Sequence, residues 1–133
     1  MREDTPITAF NLEQTYLGLD GAGGVAKIPV GPDFWETIDK NPAARGTVVM
    51  QWVSTADWPH WEMHPNGDEV VCLVDGDVSM IFDVEGRDVV VPMVSGQTVV
   101  VPAGVWHRAI VARPSRMLFI TYGEGTQHRA VER

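Results

Sequence analysis

Two segments of this chain carry side chains able to act together on a metal ion. HWEMHPNGDE, residues 60–69, concentrates imidazoles and carboxylates, and GQTVVVPAGVWH, residues 96–107, closes on a further imidazole. Imidazole nitrogens and carboxylate oxygens are ligands for divalent ions, and the segments look like the two halves of one divided site. In an extended strand over 58–64, side chains alternate, so His60, Glu62 and His64 share one face while Trp61 and Met63 share the other. A helix would also align His60 with His64, but Pro59 and Pro65 leave too short a segment for one. Glu69 shares a strand face with Val71 and Leu73, where a carboxylate is costly unless its charge meets a cation. His107 lies with Ala109 and Val111. Alone it reads as a hydrogen-bonded core histidine; beside His64 and Glu69, coordination is the better reading.

Positioning these groups requires short strands and tight turns. From Gly46 onward, runs rich in Val, Ile, Met and Phe are separated by Gly, Pro, Asp and Asn, the spacing of an all-β sandwich or barrel. Strands are expected over 47–54, 58–64, 69–74, 78–83, 88–94, 98–101, 107–111 and 116–122, with Asp75-Gly76 and Glu85-Gly86 as hairpin turns. Pro65-Asn66-Gly67-Asp68 is a loop that returns the chain antiparallel, bringing His64 and Glu69 into one space. Residues 1–45 differ in character and are expected to form an extension that packs on a barrel of residues 46–133. It would hold a strand over 7–12, a Gly-rich surface loop over 18–24 and one helical turn over 32–40. Pro32 suits the first turn of that helix and Asn41-Pro42 stops it. GLDGAGGVAK lacks the Gly-Lys-Ser/Thr ending of a phosphate loop.

At 133 residues the chain fits one domain with a substantial core. Its formal charge of −8 disfavours a phosphate backbone or an anionic membrane surface as partner. The lone Cys72 sits in VVCLV, where a small buried hydrophobe is expected, and it allows no internal disulfide. The N-terminus has no apolar leader and no stretch approaches the length of a membrane helix, so a soluble, cytoplasmic protein is expected. Trp52, Trp58, Trp61 and Trp106 are expected to pack in the core, and His128, in the polar tail, to be solvated. A zinc deaminase is excluded by the missing paired cysteines, and no Ser-His-Asp set has support.

These residues resemble the cupins, a superfamily of small jelly-roll barrels, also described as double-stranded β-helices, with a metal in the barrel mouth. The second cupin motif, G-x5-P-x-G-x2-H, is matched by Gly96, Pro102, Gly104 and His107. The first, with His-x-His, then Glu and a later Gly, is matched by His64, Glu69 and Gly76, while Glu62 stands where its first histidine belongs. The similarity covers about residues 47–122 and resembles the single-domain, conserved-barrel type of the superfamily. It implies that His64, Glu69 and His107 correspond to metal ligands, with Glu62 in the remaining place.

If Glu62 binds, two imidazoles and two carboxylates favour Fe²⁺ or Mn²⁺ over softer ions, with Zn²⁺ or Ni²⁺ as alternatives. If it turns away, two histidines and one carboxylate remain, and Glu62 is left as a catalytic acid or base beside the ion; His60 is a further substitute ligand. The resemblance implies a metal-dependent enzyme of dioxygenase, isomerase or decarboxylase type acting on a small organic molecule. The competing expectation is a non-catalytic binding or sensing module whose metal is structural or lost. Runs such as VVCLV, VVVPMV and TVVVP are apolar on both strand faces, so either the N-terminal segment or a second copy must cover the outside, and a homodimer is expected.

Overall fold

The structure, a computed structural model, describes residues 6–132. In chain order its elements are β1 (Thr15–Leu19), β2 (Val25–Pro29), the single-turn helix α1 (Phe34–Thr37), β3 (Thr47–Ser54), β4 (His60–Met63), β5 (Glu69–Val84), β6 (Arg87–Val94), β7 (Thr98–Val101), β8 (His107–Tyr122) and β9 (Gln127–Ala130). Short 3₁₀ turns at Ile38–Lys40 and Pro42–Ala44 join α1 to β3. All the strand pairs are antiparallel.

The architecture hangs on β5 and β8, each of 16 residues, which pair with one another from Glu69↔Thr121 to Phe82↔His107. The far side of β5 pairs with β7 through Glu69–Cys72 and with β6 through Asp77–Val84. The far side of β8 pairs with β3 over Ser115–Tyr122 and meets β4 at Glu62↔His107. Glu69 and His107 therefore stand at opposite ends of the β5–β8 ladder, yet their side chains approach to 3.1 Å. A flat ladder of that length would hold its ends tens of ångströms apart, at about 3.4 Å per residue. The ladder must curl back on itself, and that rolling encloses the core of Val71, Leu73, Val78, Met80, Met117 and Phe119. An all-β jelly-roll barrel is what the sequence leads one to expect.

The bend itself corrects a sequence expectation. Asp75-Gly76 is not a hairpin turn; it is a bulge inside one continuous strand, with the β5–β8 register shifting between Leu73 and Val78. Gly76 has φ +147°, and a Cβ there would lie 2.1 Å from Ser115 Oγ. Ser115, itself fully buried, accepts from Asp77 N–H and donates to the Arg113 carbonyl, filling the kink where the two long strands bend together. The same continuity joins the expected strands over 107–111 and 116–122 into β8. Glu85-Gly86 is a true hairpin turn, with φ +55° and +81°.

The N-terminal region departs further from expectation. Residues 7–12 contribute no strand; instead β1 and β2 form a hairpin over the Gly-rich turn, where Asp20 Oδ1 accepts from the backbone N–H groups of Ala22 and Gly24. The expected Gly-rich surface loop is present but shorter, over 20–24, because TYLGL and VAKIP pair residue for residue on either side of it. β1 also pairs with β3, extending the barrel sheet. The expected helical turn is present as α1 and its 3₁₀ continuation, and Asn41 ends it by accepting from Ala43 N–H. No helix of the described residues is long and apolar enough to cross a membrane.

Candidate metal centre

β4 delivers Glu62 and, one residue past its end, His64; the Pro65–Asp68 turn leads to Glu69 at the start of β5; and β8 opens on His107. The turn is pinned by Asp68 Oδ1, which accepts from Ala103 N–H, while Gly104 N–H donates to the His64 carbonyl. The two motif segments are thus tied to each other directly beside the side chains they present. Ligand atoms of Glu62, His64 and His107 all lie within 4.8 Å of one another. Glu69 bridges the two rings, with Oε1 3.1 Å from His107 Nε2 and Oε2 3.3 Å from His64 Nε2, and Glu62 Oε1 is 3.6 Å from His64 Nε2. His64, Glu69 and His107 are buried, whereas the Glu62 side chain keeps 30% of its surface.

Hydrogen bonds decide which nitrogen each ring offers. His107 Nδ1 lies 3.0 Å from the Val105 carbonyl, which only accepts, so that nitrogen carries the proton. His64 Nδ1 lies 2.8 Å from Thr126 Oγ1, whose own hydroxyl is given to the Gly123 carbonyl at 2.7 Å, so Thr126 accepts and His64 Nδ1 donates. In its neutral tautomer each ring therefore turns the Nε2 lone pair toward Glu69. With each Nδ1 proton given elsewhere, a neutral His64 and a neutral His107 leave no proton between their Nε2 atoms and the Glu69 oxygens 3.3 and 3.1 Å away, and all of these groups are buried. Atoms that crowd together with no proton between them are arranged about a common centre, as ligands of one cation are. The donor set fits a divalent ion, and the Nδ1 partners are those that fix a metal-binding imidazole.

The electrostatics agree. Burial pushes the Glu69 carboxyl up, but the nearness of His107 and His64 outweighs it and holds the group at about 2. Burial pulls the His107 imidazole down, and the Glu69 carboxylate more than reverses this, leaving it raised. Burial, then repulsion from Glu69, pushes the Glu62 carboxyl up. Glu62 is thus set apart from Glu69 as the carboxyl better able to hold a proton. Thr121 donates to Glu69 Oε2 at 2.5 Å, which leaves Oε1 as the free acceptor.

His60 does not join the group: it is exposed and paired across the strand with Ala130. Thr121 and Thr126 carried no signal in the sequence, since a lone hydroxyl has no spacing to betray it. β9 was likewise missed, and it places His128 opposite Glu62 on the cavity wall, exposed but not idle. Above the cluster opens a cavity of about 1290 Å³, lined by Trp58, Trp52 and Phe119 from the barrel and by Tyr16, Trp35 and Arg45 from the first 45 residues. Trp61 is 1% exposed beneath the guanidinium groups of Arg108 and Arg129, as a core role requires, whereas Trp106 is half-buried against Arg129, outside the core cluster. Cys72 is half-buried on the outer face of β5, more open than expected.

No family model matches the chain. It is 27% identical to the uncharacterized protein YjlB of Bacillus subtilis over 124 residues, 86% of this chain and 72% of that protein. Among solved structures it is similar to a cupin-2 domain protein of Shewanella frigidimarina (TM-score 0.50, 21% identity, 57% of this chain and 70% of that one). A hydroquinone 1,2-dioxygenase solved with Cd²⁺ and 4-hydroxybenzonitrile aligns at TM-score 0.51 and 22% identity over 57% of each chain. Oxalate decarboxylase of Bacillus subtilis aligns at 0.53 and 15% over 66% of this chain and only 24% of the enzyme. At these identities the likeness is one of fold.

The Thr126 contact generates a prediction. In Thr126→Val the acceptor for His64 Nδ1–H is gone and the ring is free to turn, so affinity for Mn²⁺ should fall by about 10- to 100-fold with little change in thermal midpoint. Calorimetric titration of Mn²⁺ into both proteins measures this; equal affinities would mean that His64 is not oriented through Thr126.

Proposed function

Taking as premise a chain with the cupin fold whose barrel buries two imidazoles against a carboxylate, we propose that it is a small metal-dependent enzyme acting on a small organic molecule. Dioxygenase, isomerase and decarboxylase chemistry all suit such a site. The observation that carries the reading is the buried cluster of His64 Nε2, His107 Nε2 and the Glu69 carboxylate, whose ring Nδ1 atoms are both committed elsewhere and whose ligand atoms crowd around one point. His64, Glu69 and His107 are the proposed ligands, with Glu62 as a fourth ligand or as the catalytic acid or base. Two imidazoles with carboxylate oxygens favour Fe²⁺ or Mn²⁺ over Zn²⁺ or Ni²⁺. When bound, the ion supplies Lewis acidity or a redox centre.

The chain's own side chains have distinct work. Glu69, held as a carboxylate, supplies negative charge at the floor of the cavity, and Thr121 fixes its orientation. Glu62 borders the cavity with its carboxyl pushed toward the protonated state, so it can hold a proton at Oε1 or Oε2 and pass it to a substrate atom. Trp58, edge-on to His107 at 6.3 Å between ring centroids, shields the cluster from bulk water. We read residues 46–133 as the barrel and 1–45 as the extension that furnishes part of the cavity's mouth.

The second reading is a binding module without turnover. It is favoured by one observation: with His107 raised and Glu69 lowered, the pair can stand as a buried ion pair with no metal. Glu62 separates the readings. As an acid or base, Glu62→Gln should retain metal and lower turnover by about 100-fold or more, measured as oxygen uptake or product formation with small phenols and keto acids. As a ligand, Glu62→Ala should weaken metal binding at least tenfold, about 1.4 kcal/mol. Unchanged metal content together with unchanged activity would remove Glu62 from both roles.

We also propose a homodimer. On the outer face Val49, Ile120, Val70 and Val100 align in one cross-strand row over β3, β8, β5 and β7, with Val53 39%, Val74 41% and Val100 57% exposed. Of the first 45 residues, Glu13 reaches this face at Gln51 and Arg116 while Trp35, Ile38 and Arg45 go to the cavity mouth, and the Val70 and Val100 end of the row is the part proposed to meet a second copy. Sedimentation at micromolar concentration should give the dimer mass in wild type and the monomer mass in Val100→Glu. A monomeric wild type would contradict the proposal.

A further inference from the structure

The cavity wall carries more aromatic surface than its packing requires. Trp58 lies 5.9 Å from Phe119, Phe119 stacks on Trp52 at 4.2 Å and 22°, and Trp52 meets Trp35 edge-on at 5.8 Å. With Trp58 beside His107, the rings form one unbroken strip from the candidate metal ligands to the rim. Phe119, 1% exposed, belongs to the core. Trp35 does not: it lines the cavity with 59% of its surface uncovered, and Trp52 and Trp58 are only half-buried there. Indoles left open along the wall of a cavity are surfaces awaiting a flat partner.

Charge narrows the partner. Glu62, Glu69, Asp39 and Glu124 line the cavity, and Arg45 is the only Lys or Arg among the described residues that line it. Even with a divalent ion offsetting the two floor carboxylates, Asp39 and Glu124 outnumber Arg45. A dicarboxylate would enter against this field with one exposed guanidinium to greet it. A neutral or cationic ring meets no such opposition, and a cation gains from the indole faces as well.

We propose that the ligand of this cavity is a flat aromatic compound without negative charge, seated along Trp58, Trp52 and Trp35 with its reacting end toward His107. This rests on the metal-enzyme reading only for the placement of the reacting end. The ring is held by stacking, and the carboxylate-rich wall turns away small organic acids.

Saturation-transfer NMR with benzyl alcohol, cyclohexylmethanol and benzoate tests the proposal, on Mn²⁺-loaded and on chelator-treated protein. Benzyl alcohol should bind at least tenfold more tightly than cyclohexylmethanol in both forms, a difference of about 1.4 kcal/mol. It should also bind more tightly than benzoate in the chelator-treated form, where no ion can recruit a carboxylate. Trp52→Leu should reduce the aromatic preference below threefold, and so should Trp35→Leu, at a residue 59% exposed, with an unchanged thermal midpoint checking that the fold is kept. Equal binding of the two alcohols, tightest binding of benzoate by the chelator-treated protein, or an undiminished preference in Trp35→Leu would each overturn the proposal. A protein that takes up no Mn²⁺ yet keeps the aromatic preference would defeat the metal-enzyme reading and leave this inference standing.

Discussion

The fold is organised around the cost of burying two imidazoles and a carboxylate whose only partners at the centre are one another. A buried nitrogen or carboxylate oxygen that makes no hydrogen bond costs roughly 1–3 kcal/mol, and more when charged. Without a proton or a cation between them, His64 Nε2, His107 Nε2 and Glu69 Oε1 are all in that state, within one small volume. Their ring partners are not slack: Val105 and Thr126 hold each Nδ1–H and so commit each Nε2 to the centre. A cation at that centre satisfies all three at once, whereas protons can do so only by charging the rings inside the barrel.

The strands serve that convergence. β5 and β8 must roll far enough for the first residue of each to meet, and the kink at Gly76 and Ser115 is where they bend. The short Pro65–Asp68 turn then sets His64 against Glu69, and Asp68 reaches across to Ala103 to lock the other motif in place. The N-terminal hairpin extends the sheet at β3 and carries Tyr16 to the cavity, while α1 and the turns after it bring Trp35 and Arg45, so floor and mouth come from distant parts of the chain.

The barrel strands and the central residues were legible because they rest on local periodicity and on motif spacing. β3 and β7 coincide with expectation, and His64, Glu69, His107 and Glu62 come together as their strand faces imply. Asp75-Gly76 was misread because glycine after aspartate signals a tight hairpin and a bulge alike; only the long-range pairing with β8 separates them. β9 and the two threonines were illegible for another reason. QHRA has no apolar alternation, being held by pairing to β4 and by Arg129, which reaches Asp83, and a hydroxyl that orients an imidazole leaves no pattern. The Trp residues were read as core, which holds for Trp61, while Trp52 and Trp58 also face the cavity, a division that depends on which side of the curled sheet is empty.

The most direct test of the central claim is X-ray absorption at the metal edge of the protein loaded with one equivalent of Mn²⁺. The account predicts an all nitrogen and oxygen shell with the outer-shell scattering of two imidazoles, falling to one in His107→Gln. A spectrum without imidazole scattering, or one unchanged by His107→Gln, would contradict the convergence of His64, Glu69 and His107 on a single ion.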